Sequence, residues 1–192
     1  MRSPRDVAAA GLMAALTAVL AYLRIPLPWS PVPVSGQSLA VMLAGALLGP
    51  RLGALSQAVY VLLGAVGLPV YAGGMGGLPV LLGPTGGYLL GFIAGAYVTG
   101  HLTGTARPPR PARLALALVL GGVVAVYVPG VLQLALVTGM PLRQAVVLGA
   151  LPFLPGDALK VVAALAALRA LLPHLPSENG ARRQDETELT RR

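Results

Sequence analysis

Cysteine is absent from this 192-residue chain, and charged residues make up only 10% of it. The missing cysteines exclude disulfides, thiolate metal sites and cysteine nucleophiles, and they leave the cellular compartment open. A soluble domain carries about 25% charged residues, so this chain cannot cover a water-facing surface of normal area. Since 56% of its residues are hydrophobic and its mean hydropathy is +0.77, the composition predicts an integral membrane protein.

Combinations of residues that support catalysis are also missing. The two histidines, His101 and His174, have no metal-ligand spacing to acids or to each other. The apolar runs hold no Ser-His-Asp arrangement and no carboxylate pair, so hydrolytic or acid–base catalysis has little support. The glycine run at 73–77 lacks the Gly-Lys-Ser/Thr of a nucleotide-binding loop. We therefore expect no enzyme activity, no metal and no cofactor, and we assign any ATP hydrolysis to partner subunits.

Apolar segments separated by proline, glycine and arginine predict an all-α protein with six transmembrane helices, since one span takes about 20 residues. The strands of a membrane barrel would alternate apolar and polar residues, and these runs do not. A cleavable signal peptide is the alternative for the first segment, but no A-x-A site ends it. The predicted helices cover residues 7–23, 36–48, 51–66, 84–104, 114–137 and 157–172, with a tight hairpin at 49–51, a kink at 129–130 and a short interfacial helix at 142–151.

The arginines predict the orientation of these spans. With six spans, eleven of the thirteen arginines fall on the side of the two termini, and only Arg24 and Arg143 fall on the other. The positive-inside rule then places both termini in the cytoplasm. Residues 1–175 form the predicted membrane domain, and residues 176–192 a polar, disordered cytoplasmic tail. The net charge of +8 does not indicate nucleic acid, because no basic helix interleaved with aromatics is present.

Three unusual segments fall together on the outer side. Residues 24–35 carry four prolines around Trp29, residues 67–83 carry six glycines and no charge, and residues 152–156 interrupt an apolar run. Irregular apolar backbone is tolerated at membrane depth only if it is buried in protein or lines a cavity. These segments therefore predict a solute-binding pocket at the outer face.

Asp157 and Lys160 are the strongest candidates for ligand binding. Lys160 is the only lysine in the chain, and both residues lie in an apolar run. Residues three apart share a helix face, and ionisable residues at membrane depth usually mark a functional site. The pair suits a small polar ligand that carries an acid group. The alternative is a neutralising ion pair in which Asp157 caps the helix.

Other residues are weaker candidates. Gly73 and Gly74 allow a ligand to approach the backbone closely. Polar side chains within apolar helices can contact a ligand or bond across helices, and these are Gln37, Gln57, Tyr60, Tyr88 and Gln133. Small residues at four-residue spacing in the first helix, Ala10, Ala14 and Ala18, favour either docking of a membrane partner or packing within the chain.

Four motifs together resemble the BioY family, the biotin-specific S components of energy-coupling factor (ECF) transporters. They are PVSGQSLAVMLAGALLGPR at 33–51, YVLLGAVGLPVYAGG at 60–74, GPTGGY at 83–88 and PFLPGDALK at 152–160. The resemblance covers about residues 7–172. Any one of these motifs alone would be weak evidence, whereas the set is specific to the family.

The resemblance implies a six-helix S-component fold, high-affinity capture of biotin, and uptake across the cytoplasmic membrane of a prokaryote. It implies ligand contact at Asp157, Lys160 and the segment Tyr71, Ala72, Gly73 and Gly74. It also implies docking through Ala10, Ala14 and Ala18 onto a transmembrane coupling subunit driven by two ATPase subunits. Asp157 would accept the ureido N–H groups and Lys160 would meet the valerate carboxylate, although the reverse assignment fits the chemistry as well. The alternatives are a solo biotin transporter, an S component for another vitamin and, more remotely, an intramembrane enzyme that uses Asp157.

Overall fold

The computed structural model describes residues 3–104 and 109–172. The predicted tail at 176–192, His174, Arg2, Arg107 and the four tail arginines lie outside the described residues. The elements in chain order are α1 (Pro4–Tyr22), β1 (Arg24–Ile25), β2 (Val34–Ser35), α2 (Gln37–Ala65), α3 (Leu78–Leu82), α4 (Gly86–Thr103), α5 (Pro111–Val119), a π-helical turn (Leu120–Val124), α6 (Ala125–Thr138), α7 (Leu142–Gly149), a 3-10 turn (Leu151–Phe153) and α8 (Leu154–Leu171).

Within the described residues, four helical stretches are long and apolar enough to cross a membrane. They are Pro4–Tyr22, Gln37–Ala65, Pro111–Thr138 and Leu142–Leu171. The protein is therefore a helical, multi-pass membrane protein. α4 lies at the centre of the bundle, where it packs against α2, α5, the π-helical turn and α6.

The first helix begins earlier than predicted because its N-terminus is capped. Ser3 Oγ accepts a hydrogen bond from the Asp6 amide at 3.2 Å, and Asp6 Oδ2 accepts one from the Ser3 amide at 3.1 Å. This reciprocal capping box, with Pro4 in the first turn, satisfies amides that have no partner within the helix. The helix therefore starts at Pro4 rather than at residue 7.

α2 folds back on itself at Gly49. Gly49 has φ 78° and ψ 179°, a conformation that glycine adopts readily and other residues do not, and Pro50 follows it. A Cβ added to Gly53 would lie 2.9 Å from the Cα of Gly45, so the two arms, residues 37–48 and 50–65, lie against each other. The predicted hairpin is confirmed.

α4 packs closely on its neighbours through a face of glycines. A Cβ on Gly91 would lie 2.7 Å from the Val126 carbonyl oxygen, and one on Gly95 would lie 2.7 Å from the Gly121 carbonyl oxygen. The predicted kink at 129–130 is wrong in position, because α6 continues past Pro129 and the irregular turn is the π-helical segment that precedes α6.

The loops contain more regular structure than the sequence predicts. β1 and β2 pair antiparallel, with Arg24 opposite Ser35, and they close the base of the proline-rich loop. The glycine-rich segment contains the short helix α3. α8 begins at Leu154, with Pro155 in its first turn, where proline is accepted. Asp157 therefore lies inside the helix and does not cap it.

The alanines predicted to dock a partner face inward. Ala10 and Ala14 are each 2% exposed, and Ala18 is partly buried against the same core as Ala14. The adjacent face of α1 is open, and nothing lies within 4 Å of a Cβ placed on Gly11. The structure thus supports packing within the chain for Ala10 and Ala14, and the exposed face of α1 is offset from them.

Candidate functional site

A pocket lies where the proline-rich loop, the start of α2, the glycine-rich segment, α4, α6 and the start of α8 meet. Its empty volume is about 680 Å³, including the part that is open to solvent, which is within the range of small-molecule sites. All three segments predicted to lie at the outer face contribute to it or border it. The lining residues are Val32, Pro33, Val34, Ser35, Gln37, Ser38, Tyr71, Ala72, Met75, Val80, Thr85, Tyr88, Leu89, Phe92, Val126, Tyr127, Phe153, Asp157 and Lys160.

A polar cluster of four side chains lies in the wall of this largely apolar pocket. Lys160 Nζ lies 2.9 Å from Asp157 Oδ1 and donates to Ser38 Oγ at 3.0 Å. Ser38 Oγ donates to Asp157 Oδ1 at 3.3 Å, and Tyr127 Oη donates to Asp157 Oδ2. The Lys160 side chain is 16% exposed and that of Asp157 is 6% exposed. The cluster therefore joins α2, α6 and α8 around one charge-neutral pair.

The hydrogen-bonding capacity of the cluster is not exhausted. A carboxylate offers about four lone-pair positions and an ammonium three N–H groups. Asp157 accepts three hydrogen bonds, and Lys160 donates two. One acceptor position, on Asp157 Oδ2, and one N–H donor of Lys160 are left, both on side chains that line the pocket. This arrangement matches a ligand group that presents a donor next to an acceptor.

Aromatic rings form much of the apolar wall. Tyr88 and Tyr127 meet edge to face with ring centroids 6.1 Å apart, and Phe92 lies beside them on α4. The Tyr88 hydroxyl donates to the Gly149 carbonyl at 2.8 Å. With its hydroxyl engaged outside the pocket, Tyr88 presents mainly its ring to a ligand.

A chain of hydrogen bonds connects the pocket to the glycine-rich segment. Ser35 Oγ donates to Gln37 Oε1 at 2.7 Å, and Gln37 Nε2 donates to Tyr60 Oη. Tyr60 Oη in turn donates to the Val70 carbonyl at 3.0 Å. Gln37 lines the pocket, whereas Tyr60 is fully buried behind it.

Tyr71 anchors the glycine-rich segment to α2. Its hydroxyl donates to the Val61 carbonyl at 2.6 Å. Its ring occupies the space beside Gly64, where a Cβ would overlap it. Burial raises the pKa of the Tyr71 hydroxyl above its ordinary value, so the group stays protonated and remains a donor.

The end of α1 also holds this segment in place. Tyr22 Oη donates to the Pro69 carbonyl at 2.7 Å, and Arg24 Nη1 donates to the Ala72 carbonyl at 3.2 Å. The Gly73 amide donates to the Ala21 carbonyl at 3.3 Å. These bonds keep Tyr71 and Ala72 at the pocket. Tyr71 is buried, whereas Leu68, Leu78 and Leu82 of the same segment are exposed, so the segment lines the pocket with one part and is not buried throughout.

Six of the residues predicted to bind a ligand line the pocket: Asp157, Lys160, Tyr71, Ala72, Gln37 and Tyr88. Four others do not. Gly73 and Gly74 lie in the segment that borders it, and Tyr60 is behind Gln37. Gln57 pairs with Thr17 on α1, with its Nε2 donating to Thr17 Oγ1 at 3.1 Å, so it bonds across helices. Gln133 does the same, donating to the Leu81 and Gly83 carbonyls at 2.8 Å each.

Ser38 and Tyr127 belong to the polar cluster but are not among the residues predicted from the sequence. Tyr127 is a polar side chain within an apolar helix, so the criterion that selected Tyr88 also applies to it. Ser38 also lies within an apolar helix, but no local pattern marks its partner Asp157, which is 119 residues away in the chain. The described residues hold no group of three or more His, Cys, Asp or Glu side chains suited to a metal ion.

A bundle of apolar helices around a pocket with a buried charged pair is the architecture of a membrane protein that captures a small solute. The family model described as the BioY family matches residues 1–177. The chain belongs to the BioY family, and the resemblance drawn from the four motifs is confirmed. This is a family of transporters and not of enzymes, so an enzymatic role for Asp157 is wrong.

Curated relatives match over most of the chain. A protein of Rhizobium etli named biotin transporter BioY is 41% identical over 181 residues, which is 91% of this chain and 96% of the relative. A protein of Thermotoga maritima with the same name is 45% identical over 166 residues, 86% of this chain and 95% of the relative.

A solved structure has the same fold. It is the S-component for biotin from an ECF-type ABC transporter, and it matches with a TM-score of 0.80 and 29% sequence identity. The match covers 92% of this chain and 96% of the solved chain. The helical bundle described above is therefore an S-component fold.

Proposed function

We propose that this chain is the substrate-binding S component of an ECF transporter and that it captures biotin for uptake. The polar cluster in the pocket wall carries the proposal, because it leaves one donor on Lys160 and one acceptor on Asp157 free for a ligand. The ureido group of biotin presents N–H groups next to a carbonyl and is complementary to that pair. The family and its relatives, which are named as biotin transporters, support the same ligand.

The charges of the cluster favour one orientation of biotin. A ligand carboxylate at this point would face the Asp157 carboxylate, and like charges repel in a desolvated site. The uncharged ureido group meets no such penalty, so its carbonyl accepts from Lys160 and an N–H donates to Asp157. The fused rings pack against the aromatic wall, and the valerate chain extends away from the cluster.

The proposed topology has six spans with both termini in the cytoplasm, in the cytoplasmic membrane of a prokaryote. The two arms of α2 count as two spans, α1, α4 and α8 as one each, and α5 with α6 as one. The first arm has twelve residues and is about 18 Å long at about 1.5 Å per residue, short of the roughly 30 Å hydrocarbon core. The proline-rich loop, which lines the pocket, extends through the remaining thickness of the hydrocarbon core, since irregular backbone is accepted where it lines a cavity.

The proposed partners are a transmembrane coupling subunit and paired ATPase subunits, and biotin is cargo rather than a cofactor. The solved structural neighbour is a component of an ECF-type ABC transporter, which supports this assembly. Ala10 and Ala14 are buried, so a partner that approaches α1 meets Gly11 and Ala15 on its exposed face. Co-purification of an ATPase pair, weakened by a bulky residue at Gly11, tests the assembly and separates it from solo transport.

Biotin derivatives test the ligand and its orientation. Biotin methyl ester keeps the ureido group and loses the acid, and we expect it to bind within about tenfold of biotin. Diaminobiotin keeps the acid and lacks the ureido carbonyl, and we expect it to bind at least about 100-fold more weakly, a loss of about 2.7 kcal/mol. Isothermal titration calorimetry on the purified protein in detergent measures both.

The outcomes separate the ligand from its orientation. The reverse ranking of the two derivatives would place the carboxylate at the cluster and overturn the orientation while leaving biotin as the ligand. If biotin itself does not bind to the folded protein, the proposed function is wrong.

Gln57→Leu distinguishes a contact between helices from a contact with ligand. We expect biotin affinity to stay within about threefold of wild type, because Gln57 does not line the pocket. The thermal unfolding midpoint should fall by a few degrees, since a hydrogen bond between membrane helices contributes about 1 kcal/mol. A loss of biotin affinity of tenfold or more without a change in the unfolding midpoint would show that Gln57 contacts the ligand.

A further inference from the structure

The orientation of the Gln37 amide is determined by groups outside the pocket. The Val70 carbonyl can only accept a hydrogen bond, and the Tyr60 hydroxyl lies 3.0 Å from it. The single proton of Tyr60 is therefore committed to Val70, and the Tyr60 oxygen is left as an acceptor. Its remaining neighbour is the Gln37 amide, which must present its NH₂ group there.

Reversing the amide would bring two acceptors together. Gln37 Oε1 would then face the Tyr60 oxygen with no proton between them, at a site where Gln37 is 4% exposed and Tyr60 is fully buried. A buried acceptor without a donor costs about 1–3 kcal/mol. Ser35 does not oppose the observed orientation, since its hydroxyl donates to Gln37 Oε1 at 2.7 Å. The orientation of an amide is usually ambiguous, but here the network specifies it.

Only one of the two Nε2 protons of Gln37 is used by this network. We propose that Tyr60 is a positioning residue, which through Gln37 keeps the other Nε2–H available as a donor to an acceptor oxygen of the bound ligand. The inference rests on biotin being the ligand and deepens that proposal. It revises the predicted role of Tyr60, because Tyr60 acts on the ligand without lining the pocket.

The same bonds make the glycine-rich segment part of the site. Val70 precedes Tyr71 and Ala72, which line the pocket, and its carbonyl is the fixed end of the chain of hydrogen bonds. Tyr22, Arg24 and Tyr71 hold this segment through separate hydrogen bonds, so it stays in place without the Tyr60 hydroxyl, whereas the direction of the Gln37 donor depends on that hydroxyl.

A double-mutant cycle on biotin affinity tests the inference. Tyr60→Phe frees the amide to rotate, and we expect the affinity to fall about tenfold, the amount that one hydrogen bond contributes. Gln37→Leu removes the donor and should cost about tenfold or more. In the Gln37→Leu background, Tyr60→Phe should cause no further loss, because the group that it positions is gone.

Thermal unfolding and a second tyrosine provide the controls. Tyr60→Phe leaves the Val70 carbonyl without its donor, so the unfolding midpoint should fall by the same amount in the wild-type and Gln37→Leu backgrounds. A merely structural role of Tyr60 predicts the same fall, so the two roles differ in their effect on affinity and not on the midpoint. Tyr71→Phe likewise removes a hydroxyl that donates to a buried carbonyl, but that hydroxyl bonds Val61, whereas the Gln37 amide bonds Ser35 and Tyr60. Its effect on affinity should therefore add to that of Gln37→Leu.

The cycle also separates this inference from the proposed function. If wild type binds biotin and the effects of Tyr60→Phe and Gln37→Leu on affinity are additive, the positioning role is overturned while biotin capture stands. If wild type does not bind biotin, the proposed function itself has failed.

Discussion

Lys160→Met is expected to reduce biotin affinity by at least about 1,000-fold, a loss of about 4 kcal/mol. Two effects combine. The variant removes the N–H donor that we propose for the ureido carbonyl, and it leaves Asp157, which is 4% exposed, without its cation. Removal of one partner of a buried ion pair costs about 3–5 kcal/mol. Isothermal titration calorimetry in detergent measures the loss.

Arg143→Met is the matched control, since it also replaces a cation by Met. Arg143 is exposed on α7 and does not line the pocket, so affinity should stay within about twofold of wild type. The double variant Asp157→Asn/Lys160→Met removes both charges, and we expect it to recover unfolding temperature relative to Lys160→Met without recovering binding. Affinity within tenfold of wild type in Lys160→Met would exclude the polar cluster as the binding site.

Gly45→Val is expected to lower the thermal unfolding midpoint by about 6–12 °C, since overpacking costs up to about 3 kcal/mol and 1 kcal/mol shifts a chain of this length by about 2–4 °C. A Cβ on Gly45 would lie 2.7 Å from the Thr99 Cβ and 3.1 Å from the Gly100 amide nitrogen, and it would overlap the Ala96 carbonyl oxygen. These atoms belong to α4, so the valine must push the two helices apart.

Gly11→Val controls for the change in helix propensity, because it makes the same substitution in an apolar helix. Nothing lies within 4 Å of a Cβ at Gly11, and we expect its midpoint to change by less than about 2 °C. Equal shifts in the two variants would show that close approach of α2 and α4 at Gly45 does not limit stability.

Local signals in the sequence were sufficient to predict most of the fold. Apolar runs bounded by glycine and proline predict the helices. The Gly49-Pro50 step predicts the hairpin, because glycine permits a sharp turn and proline does not continue a preceding helix. The short α3 was not predicted, since glycines flank it and its five residues are too few to show a period. The β1–β2 ladder has only two residues on each strand and gives no alternating pattern.

Within the polar cluster, the sequence predicted only the pair that one stretch of chain contains. Asp157 and Lys160 are three residues apart, so their spacing alone predicts the pair. Ser38 and Tyr127 join them from other helices, across 119 and 30 residues, and no periodicity encodes such contacts. The small residues of α1 show the same limit: spacing predicts that a helix can approach, but it does not tell whether that helix belongs to the same chain.

The pairing of Lys160 with Asp157 determines how a transmembrane voltage acts on the pocket. Carrying one charge across 100 mV takes about 2.3 kcal/mol. The two opposite charges are 2.9 Å apart, at most about a tenth of the ~30 Å hydrocarbon core, so the field changes their energy by about 0.2 kcal/mol at most. In the proposed orientation, the ligand's own carboxylate has no such counter-charge in the cluster. Any voltage dependence of biotin capture therefore reports the depth at which the valerate group is held, and the empty pocket is almost insensitive to the field.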